Sequence, residues 1–394
     1  MRIAHSGNAY GCSTARKEGK MGKNRNLPRV IVTAILIVLA AAALGFIGVY
    51  YTRFQSMNTV EKLTDYEDGY NLYRMDILYD YDLDHIIDYG IEDTQTTIRA
   101  FLRESLPFLP VHIELPSFSC SAFTMTESDK DVCMGRNYDF KNDTSAMLVH
   151  CTPKDGYESI AFAALNNIGA DAADESIRSK LAALTGPFIC LDGLNEKGVS
   201  IAVLTLDSEP TVQDSGKPNI STSLAIRLVL DRAATTEEAV ELLKNYDMIA
   251  TAERDYHFYI TDASGDGRVV EYDCESEDRE LKATPTDAVT NFYILYKDSV
   301  EPNQKNGIYG HGRERYDIIE EILDEEKGNY SNETEWRALQ EASQDPNPED
   351  VTSNTQWSIV YNNTELTAQI AIRRRWSDVK SFSIEGNEIT SAVN

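Results

Sequence analysis

Residues 120–139 read CSAFTMTESDKDVCMGRNYD. Two short apolar runs, SAFTMT and VCMGRNY, flank a polar stretch, a pattern that predicts two strands joined by a turn. Such a hairpin would bring together Cys120, Arg136 sixteen positions later and Asp139 nineteen positions later. A guanidinium close to a thiol stabilises its thiolate, so a cysteine nucleophile is one interpretation of this stretch.

Two further motifs follow in the chain. Residues 192–198 read DGLNEKG and predict a hairpin with Asn-Glu-Lys-Gly as its turn. Residues 287–291 read DAVTN and end an apolar strand with the amide of Asn291. Each residue also has a purely structural interpretation. Cys120 could be a small buried hydrophobe, Arg136 and Asp139 a surface ion pair, and Asn291 a strand end.

The pattern of strand-like and helical runs after Cys120 predicts an α+β fold. Short β-rich runs separated by turns extend to the C-terminal region, among them ESIAFAA, VSIAVLTL, HFYITDA, WSIVYN and LTAQIAI. Helical periodicity is clear in SLAIRLVLDRA, in TTEEAVELLKNY, which opens with a Thr235–Glu238 capping box, and in RYDIIEEILDEE. Hairpin-connected strands with helices bunched between them indicate helices packed outside stacked sheets.

Charge and motif content exclude several classes of protein. Lys and Arg total 37 against 64 Asp and Glu, which gives 37 − 64 = −27. A nucleic acid partner needs a basic surface, so none is expected. The six cysteines show no CxxC spacing, and the chain has no Walker loop, HExxH helix or GxGxxG turn. No metal site is therefore predicted.

Residues 30–52 contain no charged side chain and predict a transmembrane helix. About 20 apolar residues suffice to cross the hydrocarbon core. Residues 1–29 carry seven basic groups and one acid, so this tail should stay cytoplasmic and the acidic remainder should be extracytoplasmic. A cleavable signal peptide is the alternative, but no A-x-A site follows the span. The prediction is a single-pass protein of the cell membrane.

Residues 53–119 form the next predicted segment. It is dense in Tyr and Asp, contains the helical run TIRAFLRESLPFL, and ends in a passage punctuated by Pro107, Pro110 and Pro116. Two interpretations stay open, a helical surface stalk or a propeptide that shields something downstream.

From Cys120 onward the chain resembles the choloylglycine hydrolase, or linear amide C–N hydrolase, family of N-terminal-nucleophile hydrolases. The resemblance rests on the order of its motifs: the Cys120, Arg136 and Asp139 spacing, DGLNEKG, DASG at 262–265 before VVE, Thr290-Asn291, and TQWSIVY at 355–361. It implies that residues 120–394 form a four-layer αββα catalytic domain that needs no cofactor.

The resemblance also implies roles for individual residues. Cys120 would be the nucleophile once cleavage makes it a chain terminus, with its α-amine, of pKa roughly 7.7–8.0, as the base. Arg136 would adjoin the thiolate, Asp139 would orient the amine, and Asn291 would donate its side-chain N–H to the oxyanion. A further arginine falls at Arg315, with Arg313 as the alternative. Thr205 would bind substrate where the family often has Asn or Tyr.

The resemblance thus predicts an enzyme that hydrolyses a small linear carboxamide with an apolar acyl group through a Cys120 thioester. Two other functions stay open. An amine instead of water could resolve the thioester, which would make the protein an acyltransferase. A surface binding module could also have kept the fold without the chemistry.

Overall fold

The structure, a computed structural model, describes residues 27–109, 113, 119–127, 130–305, 307–347, 349, 353–385 and 388–392. Most of the predicted basic tail and part of the proline-punctuated passage lie outside these residues. Two units are distinguished, Met1–Tyr51 and Thr52–Asn394.

Helices in the described part of the chain are of both α and 3-10 type. The α-helices are α1 (Leu27–Asn58), α2 (Leu83–Asp88), α3 (Thr94–Ser105), α4 (Ile177–Ala183), α5 (Thr222–Arg232), α6 (Thr236–Leu243), α7 (Arg313–Glu325) and α8 (Asn332–Glu341). Short 3-10 turns occupy Leu165–Ile168, Gly186–Phe188 and Ile294–Ser299. As the capping box predicts, the Thr235 side chain accepts a hydrogen bond from the Glu238 N–H at the start of α6.

The strands of the described residues are β1 (Glu61–Lys62), β2 (Leu72–Ile77), β3 (Ser119–Thr126), β4 (Val132–Asp139), β5 (Ala146–Cys151), β6 (Ser159–Ala164), β7 (Cys190–Asn195), β8 (Ser200–Leu206), β9 (Asn219–Ser221), β10 (Asp247–Ile249), β11 (Asp255–Thr261), β12 (Arg268–Tyr272), β13 (Leu281–Pro285), β14 (Ala288–Val289), β15 (Thr355–Asn362), β16 (Thr367–Ile372), β17 (Lys380–Glu385) and β18 (Glu388–Ala392).

Two large sheets dominate the unit that begins at Thr52. A nine-stranded sheet has the order β1-β2-β5-β6-β7-β8-β11-β12-β13, and a seven-stranded sheet has the order β14-β3-β4-β15-β16-β17-β18. Strands β3 and β8 contact each other, α5 packs on β7 and β8, and α7 and α8 pack on β3 and β4 respectively. The predicted α+β class is confirmed.

Residues 53–119 differ from the predicted helical stalk, because the structure gives part of them to the main sheet. Strand β2 pairs in parallel with β5 along its whole length, from Leu72 opposite Ala146 to Ile77 opposite Cys151. The sequence analysis did not predict β2, although Tyr73, Met75 and Ile77 alternate with Arg74 and Asp76, because this short run stands among many Asp and Tyr residues.

The predicted membrane segment lies in α1. The helix Arg29–Asn58 contains an 18-residue stretch with a mean hydropathy of 2.9, so by length and composition it could cross a membrane. A signal sequence can have the same length and composition, so the membrane anchor itself belongs to the proposals below.

Candidate active site

The predicted hairpin is β3 followed by β4, and its register places the guanidinium beside the thiol. Cys120 lies opposite Tyr138 and Ala122 lies opposite Arg136, so Arg136 is the diagonal neighbour of Cys120 on the same face. The Nη2 of Arg136 donates to the Cys120 Sγ over 3.1 Å. The preceding glycine, Gly135, is required by close packing, because a Cβ there would meet the Phe123 ring at 2.2 Å.

Arg136 is held by a carboxylate from the other sheet. Its Nε lies 3.0 Å from Oδ2 of Asp192 on β7, and neither side chain is exposed. Asp192 also accepts hydrogen bonds from the Trp357 Nε1 and the Tyr361 hydroxyl of β15. Sequence reasoning did not single out Asp192, although it opens the DGLNEKG motif.

Asn291 reaches Cys120 through the register of the short strand β14. Ala288 lies opposite Phe123 and Val289 opposite Ala122, and the same antiparallel register continued by two residues sets Asn291 opposite Cys120. The Cys120 main-chain N–H donates to Oδ1 of Asn291 over 3.2 Å, and Nδ2 of Asn291 donates to the Thr205 carbonyl over 2.9 Å. In the uncut chain this amide N–H, the predicted oxyanion donor, therefore bonds a main-chain carbonyl.

Of the two arginines that sequence left open, the structure places Arg315 at the site. Its Nη2 donates to Asn291 Oδ1 over 2.7 Å, and its Nη1 donates to the Cys120 carbonyl over 3.0 Å. Arg313 instead pairs with Asp317 at 2.6 Å, one turn along α7. The residue before the helix, Gly312, has a positive φ of 86° and must be glycine, because a Cβ would meet Nη2 of Arg315 at 2.4 Å.

Asp139 lies on the opposite face of β4 from Arg136, toward the helices. One carboxylate oxygen accepts a hydrogen bond from the Thr355 hydroxyl at 2.6 Å, and the other lies 3.4 Å from Nη1 of Arg315. Burial raises the pKa of Asp139 to about 6, and Arg315 opposes that shift. Asp139 contacts Cys120 through its main chain, because its N–H donates a hydrogen bond to the thiol.

The Cys120 thiol itself is protonated at neutral pH in the uncut chain. Burial raises its pKa to about 12, although Arg136 and the Asp139 N–H act in the opposite direction. Cys120, Asp139 and Asn291 all have 0% of their surface exposed. A buried neutral thiol is a weaker nucleophile than a thiolate, so activation of Cys120 requires a base.

Thr205, the predicted substrate-binding residue, lies on β8 beside this cluster. Its hydroxyl donates to the main-chain carbonyl of Asp255 on β11 over 3.3 Å, and its own carbonyl accepts from Asn291. The side chain is buried. Its predicted contact with substrate stays a prediction.

Residues of metal-ligand type gather at a different place. Among the described residues, the ligand atoms of Glu127, Cys133 and Glu335 lie within 4.8 Å of one another. The Cys133 thiol is hydrogen-bonded to Glu335, and Cys133 pairs with Met125 near the far end of the β3–β4 hairpin from Cys120. The expectation that the reaction needs no metal rests on the resemblance to the family and stays a prediction.

The two arginines allow a matched test. We expect Arg315→Ala to lower activity by about 10²-fold or more, because it removes partners from Cys120, Asn291 and Asp139 together. Arg313→Ala, on the same helical turn but partly exposed in an ion pair, should change activity by less than about twofold. Turnover of both purified variants is the measurement, and equal losses would contradict the assignment.

Comparison with known proteins finds one family model and one curated relative that match part of the chain. Residues 120–278 match the model of the linear amide C–N hydrolases, choloylglycine hydrolase family, and the match begins at Cys120. Penicillin V acylase of Pectobacterium atrosepticum is 35% identical over 92 residues, which cover 21% of this chain and 24% of that protein. The chain thus spans about a quarter of the length of that curated relative.

Solved structures support the same fold. A mutant of conjugated bile acid hydrolase from Clostridium perfringens superimposes with a TM-score of 0.51 at 16% identity, over 70% of this chain and 97% of that one. A second variant of the same hydrolase gives a TM-score of 0.52 at 16% identity, over 69% and 96% of the two chains. The resemblance predicted from the order of the motifs is confirmed, since residues 120–278 match the model of the linear amide C–N hydrolases, choloylglycine hydrolase family.

Proposed function

We propose that this protein hydrolyses a small linear carboxamide through Cys120, after cleavage of the Ser119–Cys120 peptide bond makes that residue a chain terminus. The observation that carries the proposal is the convergence of side chains on one residue. Arg136 binds the Cys120 sulfur, Asn291 accepts from its main-chain nitrogen, and Arg315 donates to its carbonyl. A structural cysteine within a strand needs no such side-chain contacts to its own main chain.

Cleavage would create the base that the cluster lacks. An amide nitrogen is not basic, whereas a free α-amine has a pKa of roughly 7.7–8.0 and can accept the thiol proton at neutral pH. Asn291 Oδ1 already accepts a hydrogen bond from this nitrogen at 3.2 Å, so the new amine would start in a defined orientation. Asp139 lies one register pair away, opposite Ser119, and is the predicted second partner of the amine.

The reaction then follows in two steps. The Cys120 thiolate attacks the substrate carbonyl carbon, the proton that the α-amine took passes to the leaving amine, and the C–N bond breaks to give a thioester. Water attacks the thioester, releases the carboxylic acid and returns the thiol. Arg136 favours the thiolate electrostatically, and Asn291 must exchange its bond to the Thr205 carbonyl for one to the developing oxyanion.

We also infer the four-layer αββα arrangement of N-terminal-nucleophile hydrolases for residues 120–394. The packing of α5 on one sheet, of α7 and α8 on the other, and the contact of β3 with β8 between them support it. Cys120 lies on β3 of the seven-stranded sheet, whereas Asp192 and Thr205 lie on β7 and β8 of the nine-stranded sheet. In this arrangement the site lies where the two sheets face each other.

The substrate is proposed to be an amide with an apolar acyl group, and a panel of amides tests this. The full-length protein would be incubated with a conjugated bile acid, penicillin V, an acyl homoserine lactone, a fatty-acid amide and glutamine, and the released acid quantified. We expect hydrolysis of at least one apolar member by a species whose N-terminal sequence starts at Cys120. Hydrolysis of glutamine alone would contradict the apolar pocket, and an active chain intact across Ser119–Cys120 would contradict the mechanism.

The catalytic region is proposed to lie outside the cytoplasm, anchored by α1. Seven basic residues and one acid precede the apolar segment, and this excess favours a cytoplasmic tail. Protease added to intact cells should then degrade the chain beyond residue 53 while a cytoplasmic marker protein stays intact. Protection in intact cells that is lost on permeabilisation would reverse the orientation.

A further inference from the structure

We infer that residues 52–105 stay bound in the enzyme after the cut before Cys120, as a second polypeptide that completes the fold and carries the α1 helix. The inference rests on the cleavage proposed above. It adds that activation does not release the catalytic chain from its N-terminal segment.

The first support is the position of β2 within the sheet. It lies between β1 and β5, and its pairing with β5 runs over six residue pairs in parallel. Leu72 and Met75 on this strand have no exposed surface. Without β2, strand β5 would become the edge of the sheet, with unpaired main-chain groups and apolar side chains open to water.

The second support is a set of contacts to residues far along the chain. The Tyr79 hydroxyl donates to the Leu184 carbonyl over 2.5 Å, and the Tyr81 hydroxyl bonds the Asp231 carboxylate at 3.2 Å. On α3, the Phe101 ring stacks on Phe188 with 5.2 Å between centroids. These partners come from three separate elements of the catalytic chain, so the segment is fixed at several independent points.

Polar contacts also join the N-terminal segment to the connection between β16 and β17. Tyr66 donates to Asp378 over 2.7 Å, and Asp68 accepts from Arg375 over 2.8 Å. Near β5, Asp76 of β2 lies 3.3 Å from Nδ1 of His150, which itself contacts Glu158 at 2.9 Å. Charged groups of the N-terminal segment therefore pair with groups of the chain after Cys120. Separation of the two polypeptides would leave these groups without their partners.

The cut itself leaves this interface unchanged. It breaks one peptide bond at the start of β3, and β3 pairs with β4 and β14, not with β2. The elements that hold the segment, β2 and α3, end at Ile77 and Ser105. Hydrolysis before Cys120 therefore removes a covalent connection but no strand pairing between the two polypeptides.

The test uses the matured full-length protein with different affinity tags at its two ends, solubilised from membranes in mild detergent. Once N-terminal sequencing shows the Cys120 terminus, the C-terminal tag is captured under native conditions and again in denaturing urea. We expect the N-terminal polypeptide to be retained in equal amount natively and lost in urea. An active Cys120 chain recovered without that polypeptide would overturn the inference and leave the proposed reaction intact.

A second form of the test does not depend on natural maturation. A recognition sequence for a specific protease, inserted between residues 109 and 113, allows the chain to be cut outside β2, α3 and β3. Co-purification of the two halves after this cut supports the inference. An active enzyme with an intact Ser119–Cys120 bond would contradict the proposed mechanism but not this result. Separation of the halves would overturn the inference.

Strand variants give a matched comparison. Met75→Lys places a charge at a fully buried position of β2, whereas Leu78→Lys changes a neighbouring residue that is 46% exposed. We expect Met75→Lys to lower the recovered two-chain complex by about tenfold or more and Leu78→Lys to leave it unchanged. Equal recovery from both variants would show that β2 does not hold the segment.

Discussion

Cys120→Ala is expected to abolish hydrolysis of amides. It should also abolish cleavage of the chain, because we propose that the Cys120 thiol attacks the Ser119 carbonyl to give a thioester that water then hydrolyses. Removing a nucleophile that acts with its neighbours as a unit lowers turnover by about 10⁴-fold or more. The alanine side chain fits the same buried position on β3, so the fold should persist. Gel mobility of the chain and release of the substrate acid are the two measurements.

The control for this variant is Cys151→Ala on β5. Both cysteines are free and fully buried, but Cys151 lies in the other sheet and contacts none of Arg136, Asn291 or Arg315 in the hydrogen bonds described above. It should remain cleaved and active. A Cys120→Ala protein that is cut and turns over substrate would exclude Cys120 as the nucleophile.

Arg136→Met is expected to have the second large effect, on stability as well as activity. It leaves Asp192 buried without its cation, and breaking a buried pair from one side costs about 3–5 kcal/mol of unfolding free energy. Because Arg136 lowers the pKa of Cys120, its loss should also move the pH midpoint of Cys120 alkylation by iodoacetamide upward. Urea unfolding in detergent and alkylation rates report the two effects separately.

The double variant Arg136→Met, Asp192→Asn distinguishes structural from catalytic loss. The amide that replaces the Asp192 carboxylate keeps one oxygen that can accept from the Trp357 Nε1, and its NH2 group can donate to the Tyr361 hydroxyl oxygen. The substitution also removes the unpaired buried charge. We expect most of the lost stability to return while activity stays about 10²- to 10³-fold below that of the wild type. Recovery of activity together with stability would mean that Arg136 serves packing alone.

The hairpin that carries Cys120 could be predicted because its information is local. Two apolar runs and a polar turn fix which residues pair, and the register then follows from strand alternation. The place of Asn291 at the site was also predictable, because it ends the DAVTN stretch that contains β14, and the register of β14 sets it opposite Cys120. These assignments needed only neighbours in sequence and the resemblance to a family.

The remaining features depend on contacts between distant residues. Arg313 and Arg315 differ by two positions at the start of α7, and only the packing of that helix on β3 decides which faces Asp139. Asp192 gains its importance from Arg136 on the other sheet. Parallel pairing of β2 with β5 leaves no local signal, because the connection between them contains two strands of a different sheet.

Because consecutive strands alternate between the two sheets, the order of synthesis decides when the surroundings of Cys120 can form. The chain enters the first sheet at β2, passes to the second at β3 and β4, and returns to the first at β5. Strand β4 obtains its other neighbour, β15, only when residues 355–362 have been made, and Thr355 is itself part of that strand. Nascent chains that end before Thr355 therefore lack part of the surroundings of Cys120, and we expect them to remain uncut on the ribosome.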